Sequence, residues 1–255
     1  MTQEAAATET ARRAADGAAA IIFDNDGVLV DSEPVSLCAY RDAMGEQGVD
    51  LSDADDERYC GLTDADIVRD LERMHGRSLN LAQFEARKRE LYFAHSETRG
   101  LPAFAGARHV LEALRARGTA VALASSAPRE KIAHNLEAAG LVGLFEVVVS
   151  GEECERGKPD PEIFVEAARR LNVDPVNCVV VEDSINGLVA ARAAGMFAVG
   201  VTNTFSRERL APYADAVIAE LGELVGMDEM DEMDTMDEMD KNFFRGDLRT
   251  AQTTD

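Results

Sequence analysis

At 255 residues with 46% apolar content, the chain has enough length for one large or two modest folded domains. Its net charge of −22 excludes a general nucleic-acid binder, which needs basic surface. No apolar run reaches the roughly 20 residues of a membrane span, so no membrane partner is expected.

Residues 1–17 carry Glu4, Glu9, Arg12 and Arg13 among alanines, with no apolar signal core. They read as a polar extension leading into a first strand, Ala19 to Asp24. That strand stops at Asp24-Asn25-Asp26-Gly27. Acids at the end of a buried strand fall at the sheet edge where open α/β folds place ligands. The chain must turn there for both carboxylates to face one reacting atom, and Gly27 permits the turn. Two close carboxylates repel unless a cation lies between them or one holds a proton. The pair is therefore either a Mg2+ site or a nucleophile beside a general acid. A calcium loop is excluded, because the twelfth residue from Asp24 is Val35 rather than Glu. Taken alone, the segment is also an ordinary Asp-rich turn.

From Ser32 to about Glu97 the pattern is helical, with no strand-like alternation. Pro34 suits a first helical turn. Further helices are expected at Asp64–Met74 and Leu81–His95. The breakers of Arg99–Gly106 follow. Helices and strands then alternate. The expected strands are Ala120–Ala124, Glu146–Val149, Cys178–Val181 and Phe197–Val201. The expected helices are Ala107–Arg117, Arg129–Ala139, Pro161–Leu171 and Ile185–Ala194. Continuous runs such as Val179-Val180-Val181 indicate strands buried on both faces. The fold class is α/β, a doubly wound, mainly parallel, Rossmann-like sheet with an inserted all-helical cap. The core is assigned to 18–31 and 100–225 and the cap to 32–99. Residues 226–255, with Met at every third position from Met227 to Met239, form an acidic tail that reads as disordered.

The other strand ends carry matching chemistry. Ser125-Ser126 before a helix suits phosphate binding, or merely begins the helix. Glu182-Asp183 adds two acids that complete a metal site or cap a helix. Lys158 sits in Gly157-Lys158-Pro159-Asp160-Pro161, where two prolines fix the backbone. Each feature has a bland explanation, but four elements put compatible groups on one edge of one sheet. There is no G-x-G-x-x-G, and Gly151–Lys158 misses the P-loop spacing. His75, His95, His109 and His134 are given no role. Cys38, Cys60, Cys154 and Cys178 form no C-x-x-C pair, so a reducing cytoplasm is the expected setting. The acid excess, clustered also at Ser52–Glu57, matches the composition halophiles use.

In this order the motifs resemble the haloacid dehalogenase superfamily, in its phosphatase and phosphomutase branch, over about Ile21–Leu221. The resemblance implies that Asp24 attacks phosphorus and forms an aspartyl-phosphate. It implies Mg2+ on the Asp24 and Asp183 carboxylates and the Asp26 backbone carbonyl, with Glu182 in or near the shell. Asp26 is then the acid and base, and Ser125 and Lys158 hold the phosphoryl oxygens. Founding dehalogenases lack an acid two residues after the nucleophile, so Asp26 favours phosphoryl transfer. β-Phosphoglucomutases carry a histidine where Ser36 is placed. They also carry an arginine where Asp64 follows Gly61-Leu62-Thr63. The expected activity is thus a Mg2+-dependent phosphatase of small phosphomonoesters, sugar phosphates above all. A phosphomutase is second. The third reading is a non-catalytic binding or regulatory protein that interacts through its tail. Arg87 and Lys88 read as helix-surface charge in preference to phosphate contacts.

Overall fold

Six short strands, each ending close to a charged or hydroxyl residue, organise the chain. They are β1 (Ala20–Phe23), β2 (Ala120–Ser125), β3 (Val147–Ser150), β4 (Cys178–Glu182), β5 (Phe197–Val201) and β6 (Ala216–Ile218). In the computed structural model, which describes residues 2–52, 55 and 64–226, they form one parallel sheet in the order β3-β2-β1-β4-β5-β6. The doubly wound arrangement read from the sequence is the one observed.

The continuous apolar runs follow from this placement, because both faces of the sheet are covered. Ile21 and Phe23 of β1 join a core with Val110, Leu111 and Leu114 of α5 (Ala107–Ala116). Ala20 and Ile22 point the other way, toward Ile163, Phe164 and Ala167 of α7 (Glu162–Leu171) and Leu188 of α8 (Ile185–Ala193). Two-residue periodicity sends alternate side chains to opposite faces. The register pairs Phe23 with Leu123 on one side and with Val181 on the other. Asp24 therefore emerges between Ala124 and Glu182. The order reverses here, since the chain moves outward from β1 to β3 and returns to β4. Such a switch point leaves a crevice at the carboxyl ends.

Two features depart from expectation. Residues 3–17, expected as a polar lead-in, form helix α1 (Gln3–Gly17), capped by the Thr2 hydroxyl accepting from the Ala5 N–H. Ala11 and Ala15, one turn apart, are buried in the same core as Ile218 and Leu221. A stripe made only of alanines has little hydrophobic contrast with its surroundings, yet it lets a helix approach closely. Strand β6 was also unforeseen, because three residues are too few to show a period.

Between β1 and β2 lie α2 (Glu33–Glu46), α3 (Asp64–His75) and α4 (Leu81–Arg99). They share a separate cluster built on Met44, Ile67, Leu71 and Phe84. Helix α4 also reaches α6 (Arg129–Ala138), where the Tyr92 hydroxyl donates to Asn135 Oδ1 at 2.7 Å. The Gly61-Leu62-Thr63 turn, most of the Ser52–Glu57 acids, Cys60 and the Met-Asp-Glu tail lie outside the described residues. No helix among the described residues is long and apolar enough to cross a membrane.

Candidate active site

The carboxyl edge of the sheet brings five of the six singled-out residues together, Asp24, Ser125, Glu182 and Asp183 from strand ends and Lys158 from a loop, and sets Asp26 beside them. Asp24, Ser125, Glu182 and Asp183 are all buried at the carboxyl edge. Lys158, from the loop before α7, places its Nζ 2.6 Å from Asp24 Oδ1 and 2.7 Å from Glu182 Oε1. It also donates to the Ala124 carbonyl at 3.3 Å, immediately before Ser125. Ser125 Oγ accepts from the Ala127 N–H at 3.2 Å, shaping the turn into α6. Glu182 is held on its second oxygen as well, by the N–H and hydroxyl of Ser184 at 2.7 and 2.8 Å.

Two glycines are needed for this packing. A Cβ at Gly187 would lie 1.8 Å from Glu182 Oε1. Gly27 has φ +78°, and a Cβ there would lie 2.1 Å from Asp183 Oδ2. The turn after Asp26 thus uses glycine both for its left-handed backbone and for the space beside Asp183.

The electrostatics are those of three acids around one cation. Burial, opposed by Lys158 and reinforced by Glu182, raises Asp24 to about 7. Burial, then Glu182 and Asp24, push Asp183 well above the usual carboxylate range. Its own partner is the Thr204 hydroxyl, which donates to Oδ2. Burial alone would lower Lys158, but Asp24 and Glu182 outweigh it and hold the ammonium charged. One lysine cannot balance three carboxylates. Asp24, Glu182 and Asp183 offer oxygens within 4.8 Å of one another, a donor set suited to a hard divalent cation. The residues present therefore fit such an ion.

Asp26 differs. Its carboxylate lies apart from that cluster, and three neighbours reach the same oxygen, Oδ1. Ser32 donates from its hydroxyl, Asn135 Nδ2 donates at 3.0 Å, and Lys131 Nζ lies at 3.1 Å. Burial would raise Asp26, but Lys131 and the Ser32 hydrogen bond outweigh it and lower the carboxyl below its ordinary range.

Lys131, Asn135, Tyr92 and Thr204 were not anticipated. Asn135 had a signal: it is a polar residue at core spacing from Ile132 and beside Leu136 on the buried face of α6. Thr204 follows β5 in Thr202-Asn203-Thr204, a hydroxyl-rich strand end like that of β2. Lys131 had none, because a lysine four residues before Asn135 looks like helix surface. Two of the histidines take up structural contacts: His95 Nε2 lies 2.8 Å from Asp42, and His134 Nε2 2.7 Å from the Ser96 hydroxyl.

Comparison with known proteins adds a frame. The family model described as haloacid dehalogenase-like hydrolase matches residues 21–201. Hexitol phosphatase B of Escherichia coli is 32% identical over 227 residues, covering 82% of this chain and 95% of the relative. A phosphorylated carbohydrates phosphatase of Thermotoga maritima is 35% identical over 178 residues, covering 69% and 82%. Two Arabidopsis thaliana relatives are longer, and the chain spans 19% and 53% of their lengths. Among solved structures, a candidate β-phosphoglucomutase from Thermotoga maritima superposes with TM-score 0.67 at 31% identity, covering 82% of this chain and 97% of that one.

Proposed function

The chain belongs to the haloacid dehalogenase-like hydrolase family, and we propose that within it this protein hydrolyses small phosphomonoesters, chiefly sugar phosphates. The carrying observation is the Asp24–Lys158–Glu182–Asp183 cluster with Ser125 at the same sheet edge. Three buried acids around one lysine are costly for stability, and they suit a centre that receives both a cation and a phosphoryl group. Relatives named as phosphatases of hexitols and phosphorylated carbohydrates support the substrate class.

In this reading Asp24 is the nucleophile. Its carboxylate oxygen bonds to phosphorus, and the bond from phosphorus to the leaving oxygen breaks. Lys158 has three donors on a flexible stem, so it can pass from Asp24 to a phosphoryl oxygen while keeping Glu182. Ser125 and the N–H groups at the start of α6 bind the remaining phosphoryl oxygens. The proton for the leaving oxygen rides on Asp26 Oδ2, the oxygen that Ser32, Asn135 and Lys131 do not engage. The incoming phosphoryl charge raises Asp26 and so helps it hold that proton. Asp26 then takes a proton from the water that attacks the aspartyl-phosphate, releasing phosphate and restoring Asp24. Mg2+, held by Asp24, Asp183 and the Asp26 main-chain carbonyl with Glu182 beside them, would offset charge on the phosphoryl oxygens. The helices of 33–99 act as a cap over the leaving group. The phosphomutase alternative is disfavoured, since Asp64 is engaged with Lys88 and presents an acid where mutases present a base.

The test is phosphate release from a panel of hexitol and sugar phosphates with Mg2+, repeated with chelator. Release that chelation abolishes is expected. No release across the panel would end the proposal.

A further inference from the structure

A cavity of about 690 Å³ lies between the helical segment and the start of α6. Lys131 joins it to the candidate site, lining the cavity while its Nζ sits 3.1 Å from Asp26. On the phosphatase reading above, the leaving group of a substrate at Asp24 and Asp26 occupies this space, which is within the ordinary range for a small-molecule pocket.

The charges on its walls follow a pattern. Among the described residues three cations line it, and each meets an acid: Lys88 with Asp64, Arg89 with Glu130, and Lys131 with Asp26 and, when Asp26 carries its proton, with Glu33. Glu33 and Glu85 line it as well. Among the described residues, no lining cation is left over to meet a second anionic group. The Lys88–Asp64 pair, which joins α4 to α3, is the informative one, because the Arg89–Glu130 pair is 58% exposed on both sides and the Lys88–Asp64 pair is not. Their side chains are only 31% and 26% exposed, so solvent screens them less than a surface pair. Ser36 and Tyr40 add two hydroxyls on one face of α2.

We propose that Asp64, by cancelling the charge of Lys88, makes this cavity select leaving groups that are uncharged polyols and reject those carrying a second anion. A polyol hydroxyl both donates and accepts, so it is served by carboxylates, an ammonium and hydroxyls alike. A carboxylate or second phosphate would be desolvated beside Glu33 and Glu85 with no uncommitted cation among the described lining residues, which is costly.

The experiment compares glucitol 6-phosphate with 6-phosphogluconate, which differ only in the CH2OH or carboxylate at C1, using full-length protein with Mg2+. The readout is the ratio of their kcat/KM values, which does not depend on how much of a variant is folded. Wild type is expected to favour the polyol at least tenfold. Asp64→Asn keeps the size and leaves Lys88 uncancelled, and the ratio should fall at least tenfold. Lys88→Met leaves Asp64 uncancelled, and the ratio should rise. A wild type that takes 6-phosphogluconate equally well or better overturns the inference, as do variants that leave the ratio unmoved. Hydrolysis of p-nitrophenyl phosphate separates the two levels. If wild type cleaves neither it nor the sugar phosphates, the phosphatase reading fails. If it cleaves them with an unshifted ratio, only the role of Asp64 fails.

Discussion

The carboxyl edge of the sheet and the helical segment above it use charge in opposite ways. At the edge, Lys158, Asp24 and Glu182 keep only 7%, 10% and 2% of their side-chain surface. Strand register sets the positions of Asp24 and Glu182 and leaves them little freedom, and Lys158 reaches both from the loop before α7. On the helices, charges sit half in solvent and pair between neighbouring turns or helices, as Arg69 does with Asp66 and Arg87 with Glu46 and Glu90. The first arrangement is strained electrostatically and suited to chemistry. The second is close to neutral in energy and free to vary, which makes it the place where selectivity can change without loss of the fold.

The sharpest way to break this contrast is at the edge. Asp24→Asn should lower kcat/KM by about 10³-fold or more, as loss of a nucleophile does, while circular dichroism shows the fold retained. Substantial residual turnover would remove Asp24 from its role. Lys158→Met comes next and touches both activity and stability. It removes the counter-charge of Asp24 and Glu182, and breaking a buried pair costs about 3–5 kcal/mol. Urea denaturation without Mg2+ should show this loss, and turnover should fall about 10²-fold. A variant as stable as wild type would mean that the acids are not ionised against Lys158. Gly187→Ala is third. Its methyl group would displace the Glu182 carboxylate, and overpacking of this kind costs about 1–3 kcal/mol. Turnover should fall with it, because Glu182 holds Lys158.

The same contrast explains what the sequence could tell. Strand ends were legible because a short apolar run that stops at Asp24, Ser125 or Glu182 fixes both where the residue is and which way the site faces. Helical partners were not. Lys131 reaches Asp26, and Lys88 reaches Asp64, only because α6, α4 and α3 pack at particular rotations. A periodic pattern gives the buried face of a helix but not which neighbour its flanks will meet. Helix α1 escaped for a related reason: Ala11 and Ala15 are small enough to be core or surface, and only the packing against β6 decides.

Smaller effects probe the boundary between the two regions. Tyr92→Phe removes the donor to Asn135 Oδ1, leaving a fully buried amide oxygen short of a partner. The expected cost is about 1 kcal/mol. Because Asn135 also donates to Asp26 Oδ1, kcat should drop modestly while KM is held. A change confined to KM would place Tyr92 against the substrate instead.

Arg87 and Lys88 are adjacent, equally charged and indistinguishable by composition, yet the structure separates them. Lys88 lines the cavity, whereas Arg87 turns to Glu46 and Glu90 on the outer surface. Arg87→Ala should therefore leave the thermal midpoint, kcat/KM and the choice between polyol and acid phosphates at wild-type values. If it shifted that choice as a substitution of Lys88 does, the selectivity would come from the general charge of α4. If only Lys88 moves it, position on the cavity wall is what counts. The helical segment would then hold one specific polar contact among charges that are otherwise interchangeable.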